Sequence, residues 1–250
     1  TESAGGGWDV TTHPYFARVY AVHKDIDNQT RQNASGGPFN LDADATRWCT
    51  QQLLIKRDQL FVSSFLTTGV WANDAVLTNP WDAANSTPIE DITNTAVDMG
   101  ELTGRRPNIL LLGARVLPAL LNNAQIVERV KYSGSGFPTE QVLSQAFNVD
   151  RIVTAEAIQN IAPKGAPKAT KYMFDKQALL VYAAPNPGLL TPSGGYTFTW
   201  TGLLGAGATG GRIRNYRMEE LDSDRIEGEM GFDMRVVGRD LGTFFTNAIT

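Results

Sequence analysis

Cysteine occurs once and histidine twice in this chain of 250 residues. The single thiol, Cys49, excludes an intramolecular disulfide and any metal knuckle made of paired cysteines. With only His13 and His23 beside it, a zinc site would have to lean on carboxylates, and no metal is expected. The same scarcity removes the common nucleophilic arrangements. A Ser-His-Asp or Cys-His set needs a well-placed histidine, and both histidines lie near the start of the chain beside segments that read as exposed. There is no G-x-S-x-G elbow and no phosphate loop ending in Gly-Lys-Ser or Gly-Lys-Thr.

Long apolar runs are also missing. No stretch reaches the roughly 18 apolar residues of a bilayer-spanning helix, so no membrane partner is expected. Nor is there an excess of positive charge: 22 basic residues face 26 acidic ones, a net charge of -4, without the electrostatic footprint of a nucleic-acid binder. The one basic cluster, Arg212, Arg214 and Arg217, is followed directly by Glu219, Glu220, Asp222 and Asp224 and reads as self-compensating surface. The first residue is Thr1, and no basic segment leads into an apolar one. The expectation is that a leading segment has been removed or that the start lies outside these residues.

What is present is enough for a full core. At 42% hydrophobic, the chain has the length of about one or two domains. Residues 1–14 are rich in glycine and threonine and read as an arm. Residues 15–23, "YFARVYAVH", suit a strand, and residues 24–40 are polar and end in Gly36, Gly37 and Pro38, a loop. From Leu41 to Thr67 the pattern is helical, with Leu54, Phe61 and Phe65 on one stripe and Ile55, Val62 and Leu66 beside it. Asn40 can cap this helix, Asp42 and Asp44 suit its positive end, and Gly69 follows it. A connection carrying Trp71 and Trp81 leads to Thr87-Pro88-Ile89-Glu90, a capping box that opens a helix closed by Gly104. A buried strand at Ile109 to Leu112, a helix from about Ala114, a helix over 139–147 and strands over 150–158, 171–184 and 196–204 follow, with strand-like residues again over 225–238. There is no internal repeat and no regular βαβ alternation, which favours an α+β fold over a doubly wound sheet.

One glycine cluster demands a chemical test. Gly205, Gly207 and Gly210 have the G-x-G-x-x-G spacing of a dinucleotide cradle, a strand precedes them, and Glu229 stands about 20 residues on, where an acidic residue would hold a ribose. The cradle must open a helix, however, and residues 211–224, "GRIRNYRMEELDSD", have poor helical periodicity. Only 40 residues remain after Gly210. A glycine turn between two strands explains the spacing without a ligand. An NAD-dependent enzyme using the Gly205-Gly207-Gly210 turn is kept as an alternative, and no cofactor is expected. Carboxylates adjacent in sequence, Glu90 with Asp91 and Glu219 with Glu220, point apart in regular structure and read as surface charge. Cys49, next to Trp48 in the long helix, reads as a buried, inert thiol.

The order of these segments resembles the major capsid proteins of tailed bacteriophages, the Hong Kong 97-type fold. "FNLDADATRWCTQQLLIKRDQLFVSSFL" looks like the spine helix of that family. "NPWDAANSTPIEDI" is similar to its Trp-x-x-x-x-Ser-x-Pro-x-x-x-Ile pattern, carried by Trp81, Ser86, Pro88 and Ile92. "TGRRPNILLLGARVLPALLNNAQIVERVKYSG" and "TEQVLSQAFNVDRIVTAEAIQN" resemble the opening of its axial domain. "ALLVYAAPNPGLLTPSGGYTFTW" and "DMRVVGRDLGTFFTNAIT" resemble the remainder.

The resemblance implies an α+β capsid fold with an N-terminal arm and extended loop over 1–38 and a peripheral domain with the spine helix over 39–104. It further implies an axial domain over 105–220 and C-terminal strands over 221–250 that return to the peripheral domain. It implies a non-enzymatic subunit located in the virion, assembled from many copies as pentamers and hexamers into an icosahedral shell. Double-stranded DNA would be enclosed without sequence-specific binding, with portal, scaffolding and decoration proteins as partners. Some members join subunits by a lysine to asparagine bond; Lys24 is the only lysine ahead of the spine helix, and no partner residue is identifiable. An encapsulin-like nanocompartment enclosing cargo enzymes shares the same expectations of fold.

Overall fold

The computed structural model describes residues 12, 14–34, 37, 40–131, 139–188, 190–204 and 211–250. Its elements are β1 (Arg18–Asp27), α1 (Asn28–Ala34), α2 (Leu41–Phe65), β2 (Asn73–Ala75), α3 (Pro88–Thr103), β3 (Ile109–Gly113), α4 (Val116–Leu121), α5 (Ala124–Lys131), α6 (Glu140–Phe147), β4 (Arg151–Ala155), β5 (Ile158–Asn160), β6 (Thr170–Tyr172), β7 (Ala178–Val181), β8 (Gly195–Phe198), α7 (Thr201–Leu204), β9 (Gly211–Met218), β10 (Ser223–Val236) and β11 (Gly242–Phe245). The class is α+β. Two compact units divide the chain, Thr1–Leu53 with Thr197–Asp233 and Leu54–Tyr196 with Met234–Thr250.

The second unit is built on a five-stranded mixed sheet in the order β2-β11-β7-β3-β4. Successive side chains of a strand point to opposite faces, so the apolar runs of its central strands feed two cores at once. Leu110 and Leu112 of β3 lie opposite Leu180 and Ala178 of β7. With Phe245 of β11 they join Ile92, Leu120, Ile126, Leu143 and Phe147 from α3 to α6. The alternate residues Leu111, Leu179 and Phe244 join Phe65, Leu66, Trp71 and Phe174 in a separate core. The helices of the first core start and stop where local chemistry directs. Thr139 caps α6 by accepting from the Val142 amide, and Gly104 ends α3 in the left-handed region at φ +69, where a side chain would be strained.

The first unit contains a sheet centred on β10. β1 pairs with β10 along its whole length, and β9 forms an antiparallel hairpin with its first eight residues. A small core of Ile26, Ala45, Cys49 and Ile226 lies beneath, with Val22 and Leu41 against it.

Several elements differ from the sequence reading, each for a physical reason. Residues 28–34 of the expected loop form α1, started by Asp27, whose side chain accepts from the Thr30 amide. This helix buries no residue, so no apolar stripe announces it. In α2 the row Ala45, Cys49, Leu53 is buried at spacings of four, and Leu54 is exposed; the stripe through Phe65 and Leu66 holds. Asn40 caps α2 as expected, accepting from the Ala43 amide. Thr87 makes no side-chain cap bond, because its backbone at φ -125, ψ 63 is not the extended geometry that a capping hydroxyl needs. The Gln125 side chain takes over and accepts from the Ile89 amide. The strand expected over 196–204 stops at Phe198 and gives way to α7. Along residues 223–230, β10 already has β1 on one edge and β9 on the other, leaving no edge free.

Candidate assembly surfaces

Trp81, Ser86, Pro88 and Ile92 converge on one buried knot in the second unit. Trp81 and Ile92 are fully buried. The Trp81 amide donates to the Ala248 carbonyl at 2.7 Å, and its indole N–H donates to Asp91 at 3.0 Å. The Trp81 carbonyl accepts from the Ser86 hydroxyl and from the Asn123 side-chain amide, which also reaches the Ser86 oxygen at 2.7 Å. Pro88 then starts α3. The tail beyond β11 is held by the same region: Asn247 bonds both backbone groups of Leu77. Burial raises the Asp91 carboxyl above its ordinary range, while the Trp81 hydrogen bond acts the other way. This knot holds structure, tying the C-terminal tail to the segment that leads into α3.

The outer features of that unit are a bare ribbon and a helix face. β5 and β6 form a two-stranded sheet of their own, joined by a turn through Gly165 at φ +92 between Pro163 and Pro167. Ile158, Ile161 and Tyr172 are exposed on it. Residues 150–158 and 171–184 read as simple strands in sequence; the Pro-Lys-Gly turn signal at 163–165 is what marks the hairpin. On α3, Val97 and Leu102 are exposed.

The first unit carries the densest charge. Arg212 pairs with Glu229, and Arg214 bridges Glu227 at 2.8 Å and Glu229 at 3.0 Å. Arg217 pairs with Asp222 and Asp224, Arg31 with Asp42 and Asp224 at 2.9 Å, and Arg225 with Asp25 at 2.7 Å. The basic cluster is compensated as expected, but largely by acids across the hairpin, which only strand pairing could bring there. An open apolar groove of about 700 Å³ is lined by Tyr15, Phe16, Val19, Trp200 and Leu203.

These pairs set a pH dependence. The hydrogen bond from Arg225 holds the Asp25 carboxyl below its ordinary range, and Arg31 does the same for Asp42. A carboxyl depressed in the folded state contributes stability above its unfolded value, and that contribution is lost as pH falls through the folded value. In urea unfolding these two pairs are therefore expected to contribute constantly from about pH 7 to 5 and to lose that contribution below about pH 4. Asp42→Asn should cost less than about 1 kcal/mol at pH 7, since the pair is half-exposed, and should flatten the acid decline. An unchanged acid limb in an Asp25→Asn, Asp42→Asn double variant would remove this account.

Among the described residues, the enzymatic candidates do not assemble into a site. Gly205, Gly207 and Gly210 lie outside the described residues, as does His13. After them comes β9, a strand where a dinucleotide cradle needs a helix. Glu229, the ribose candidate, is bound by two arginines. His23 is exposed, 4.0 Å from Asp25. Cys49 is fully buried, with its thiol 3.6 Å from the Ile226 carbonyl, and burial pushes the thiol up. Lys24 lies over the Trp48 ring at 5.6 Å. Asp91 is turned to Trp81 and Glu90 is exposed, so they form no acid and base pair. Among the described residues there is no metal-ligating cluster, and no helix is long and apolar enough to cross a membrane.

Known proteins match this architecture over nearly the whole chain. A phage-related protein of Bordetella bronchiseptica superposes with a TM-score of 0.78 at 20% identity, over 94% of this chain and 77% of that one. The capsid of cyanophage P-SCSP1u gives 0.56 at 10% identity, over 98% and 79%. The chain has the Hong Kong 97-type capsid fold. The major capsid protein of Burkholderia phage BcepMu is 27% identical over 124 residues, which is 48% of this chain and 40% of that relative. No family model matches. An encapsulin complex of Synechococcus elongatus shares the capsid fold, with a TM-score of 0.60 at 10% identity over 94% and 75%. Within that fold, the knot around Trp81 is where the Trp, Ser, Pro and Ile pattern noted in the sequence becomes a packed structure.

Proposed function

We propose that the chain is the major capsid protein of a tailed bacteriophage, a structural and non-enzymatic subunit located in the virion. Many copies form pentamers and hexamers that close an icosahedral shell around packaged double-stranded DNA. The observation that carries the reading is the stretch shared with a phage major capsid protein, set on the capsid fold. Residues 39–104 with 221–250 are assigned to a peripheral domain, 105–220 to an axial domain and 1–38 to the arm and extended loop. Portal, scaffolding and decoration proteins are the expected partners. The charge balance supports the reading: a net charge of -4 leaves the enclosed DNA free to be released, where clustered lysine and arginine would hold its phosphates.

The test is assembly of the purified full chain, followed by light scattering and electron microscopy. Closed particles of megadalton mass are expected; a chain that stays monomeric under every assembly condition would overturn the reading. The encapsulin fold match supports a compartment for cargo enzymes as the second reading. Nuclease-protected DNA in particles isolated from their source favours the capsid, and enclosed protein favours the compartment.

A further inference from the structure

We infer that the β5–β6 hairpin of one copy docks on the outer face of α3 of a second copy, a contact that rests on the self-assembly proposed above. An isolated two-stranded ribbon is marginally stable in water without a surface to pack on. Residues 163–172 are exposed without interruption, and Ile161 is 59% exposed. Lys164, Lys168 and Lys171 lie on the ribbon, residues 157–174 contain no acidic residue, and these lysines form no ion pair among the described residues. Whatever covers the ribbon must therefore be both acidic and apolar.

The chain carries such a surface. α3 contains Glu90, Asp91, Asp98 and Glu101 and no lysine or arginine. Its exposed residues Glu90, Thr93, Asn94, Val97, Asp98, Glu101 and Leu102 follow helical spacing and share one face. Leu102 is 71% exposed, and Glu90, Asp98 and Glu101 form no ion pair among the described residues. Arg105 and Arg106 follow the helix, beyond its terminal turn. The opposite face, through Ile89, Ile92 and Met99, is buried and anchors the helix. Ribbon and helix are different patches, so their union is heterologous, the kind of contact that repeats around a ring and closes it. Complementary charge would set the register and the apolar residues the contact core.

The test is charge reversal and its rescue in the full chain. Lys164→Glu, Lys168→Glu, Lys171→Glu together should lower the yield of closed particles by about tenfold or more, since like charges then face each other. Glu90→Lys, Asp98→Lys, Glu101→Lys should do the same, and the six changes combined should restore most of the yield. Circular dichroism of the unassembled variants should match the wild type, because every position is exposed. Normal assembly of either triple variant, or loss without rescue in the combined chain, overturns the contact while leaving the shell reading intact. Normal particles with reduced DNA in the lysine variant would overturn it in favour of nucleic acid as the lysines' partner. Lysines on an exposed edge also discourage random pairing, and that role alone produces no rescue. Failure of the wild-type chain to assemble strikes the proposed function instead.

Discussion

Trp81→Ala is expected to cost about 3–5 kcal/mol and to leave the chain largely unfolded or unassembled. The indole is fully buried and packs on Phe245 with ring centroids 5.2 Å apart. Truncation removes that contact, opens a cavity in the larger core and strips the partly buried Asp91 of its donor. Urea unfolding followed by circular dichroism measures the loss; a cost below about 1 kcal/mol would show that this core closes around the gap. Trp81→Phe keeps an aromatic ring but removes the pyrrole portion with its N–H, so it leaves a smaller cavity than alanine together with the same lost donor. The carboxyl of Asp91, already raised by burial, is then left as a charge without that donor. A group whose folded pKa is raised favours the fold below its unfolded value and loses that advantage as pH rises through the folded value. The Phe variant should therefore approach the wild type as pH is lowered toward 4 and fall behind it at pH 7.

Gly113→Ala is expected to be nearly as damaging, about 3 kcal/mol or more, for a different reason. A Cβ at this last residue of β3 would lie 2.2 Å from the Asp175 carbonyl oxygen and 2.5 Å from its carbon. Those are backbone atoms, and three hydrogen bonds hold the two segments together there. Gly113 donates to Gln177, Ala114 to Phe174 and Arg115 to Asp175. No rotamer change relieves the clash, so the β3–α4 connection must move off the sheet and expose Leu112 and Val116, both fully buried. Thermal unfolding of the variant against the wild type measures it. Wild-type stability would mean that the chain through Asp175 shifts at little cost.

The contrast between these two residues says what could be read from residues alone. Trp81 stood out only through the family resemblance, in which it opens a pattern with Ser86, Pro88 and Ile92, and each member takes part in the knot or starts its helix. Gly113 follows the apolar strand at Ile109 to Leu112 with no local signal of its own; its role depends on Asp175, 62 positions away in sequence. The Gly205, Gly207 and Gly210 spacing looked more specific than either, yet the strand at β9 and the arginines on Glu229 account for what surrounds it. α1 escaped notice because a helix that buries nothing leaves no periodic trace. The hairpin at β5 and β6 is exposed in the same way, so only its Pro-Lys-Gly turn marks it in the sequence.

Composition and local pattern by themselves determined the α+β class, the long helix from Leu41 and the apolar strand at Ile109. Each follows from near-neighbour spacing. Only the tertiary structure decided that alternate residues of β3, β7 and β11 serve two different cores, that the basic cluster is answered by Glu227 and Glu229, and that the lysine ribbon and the acidic face of α3 stand uncovered. Those outcomes depend on strand pairing and burial between distant segments, and a local spacing carries no record of which distant segment will arrive beside it.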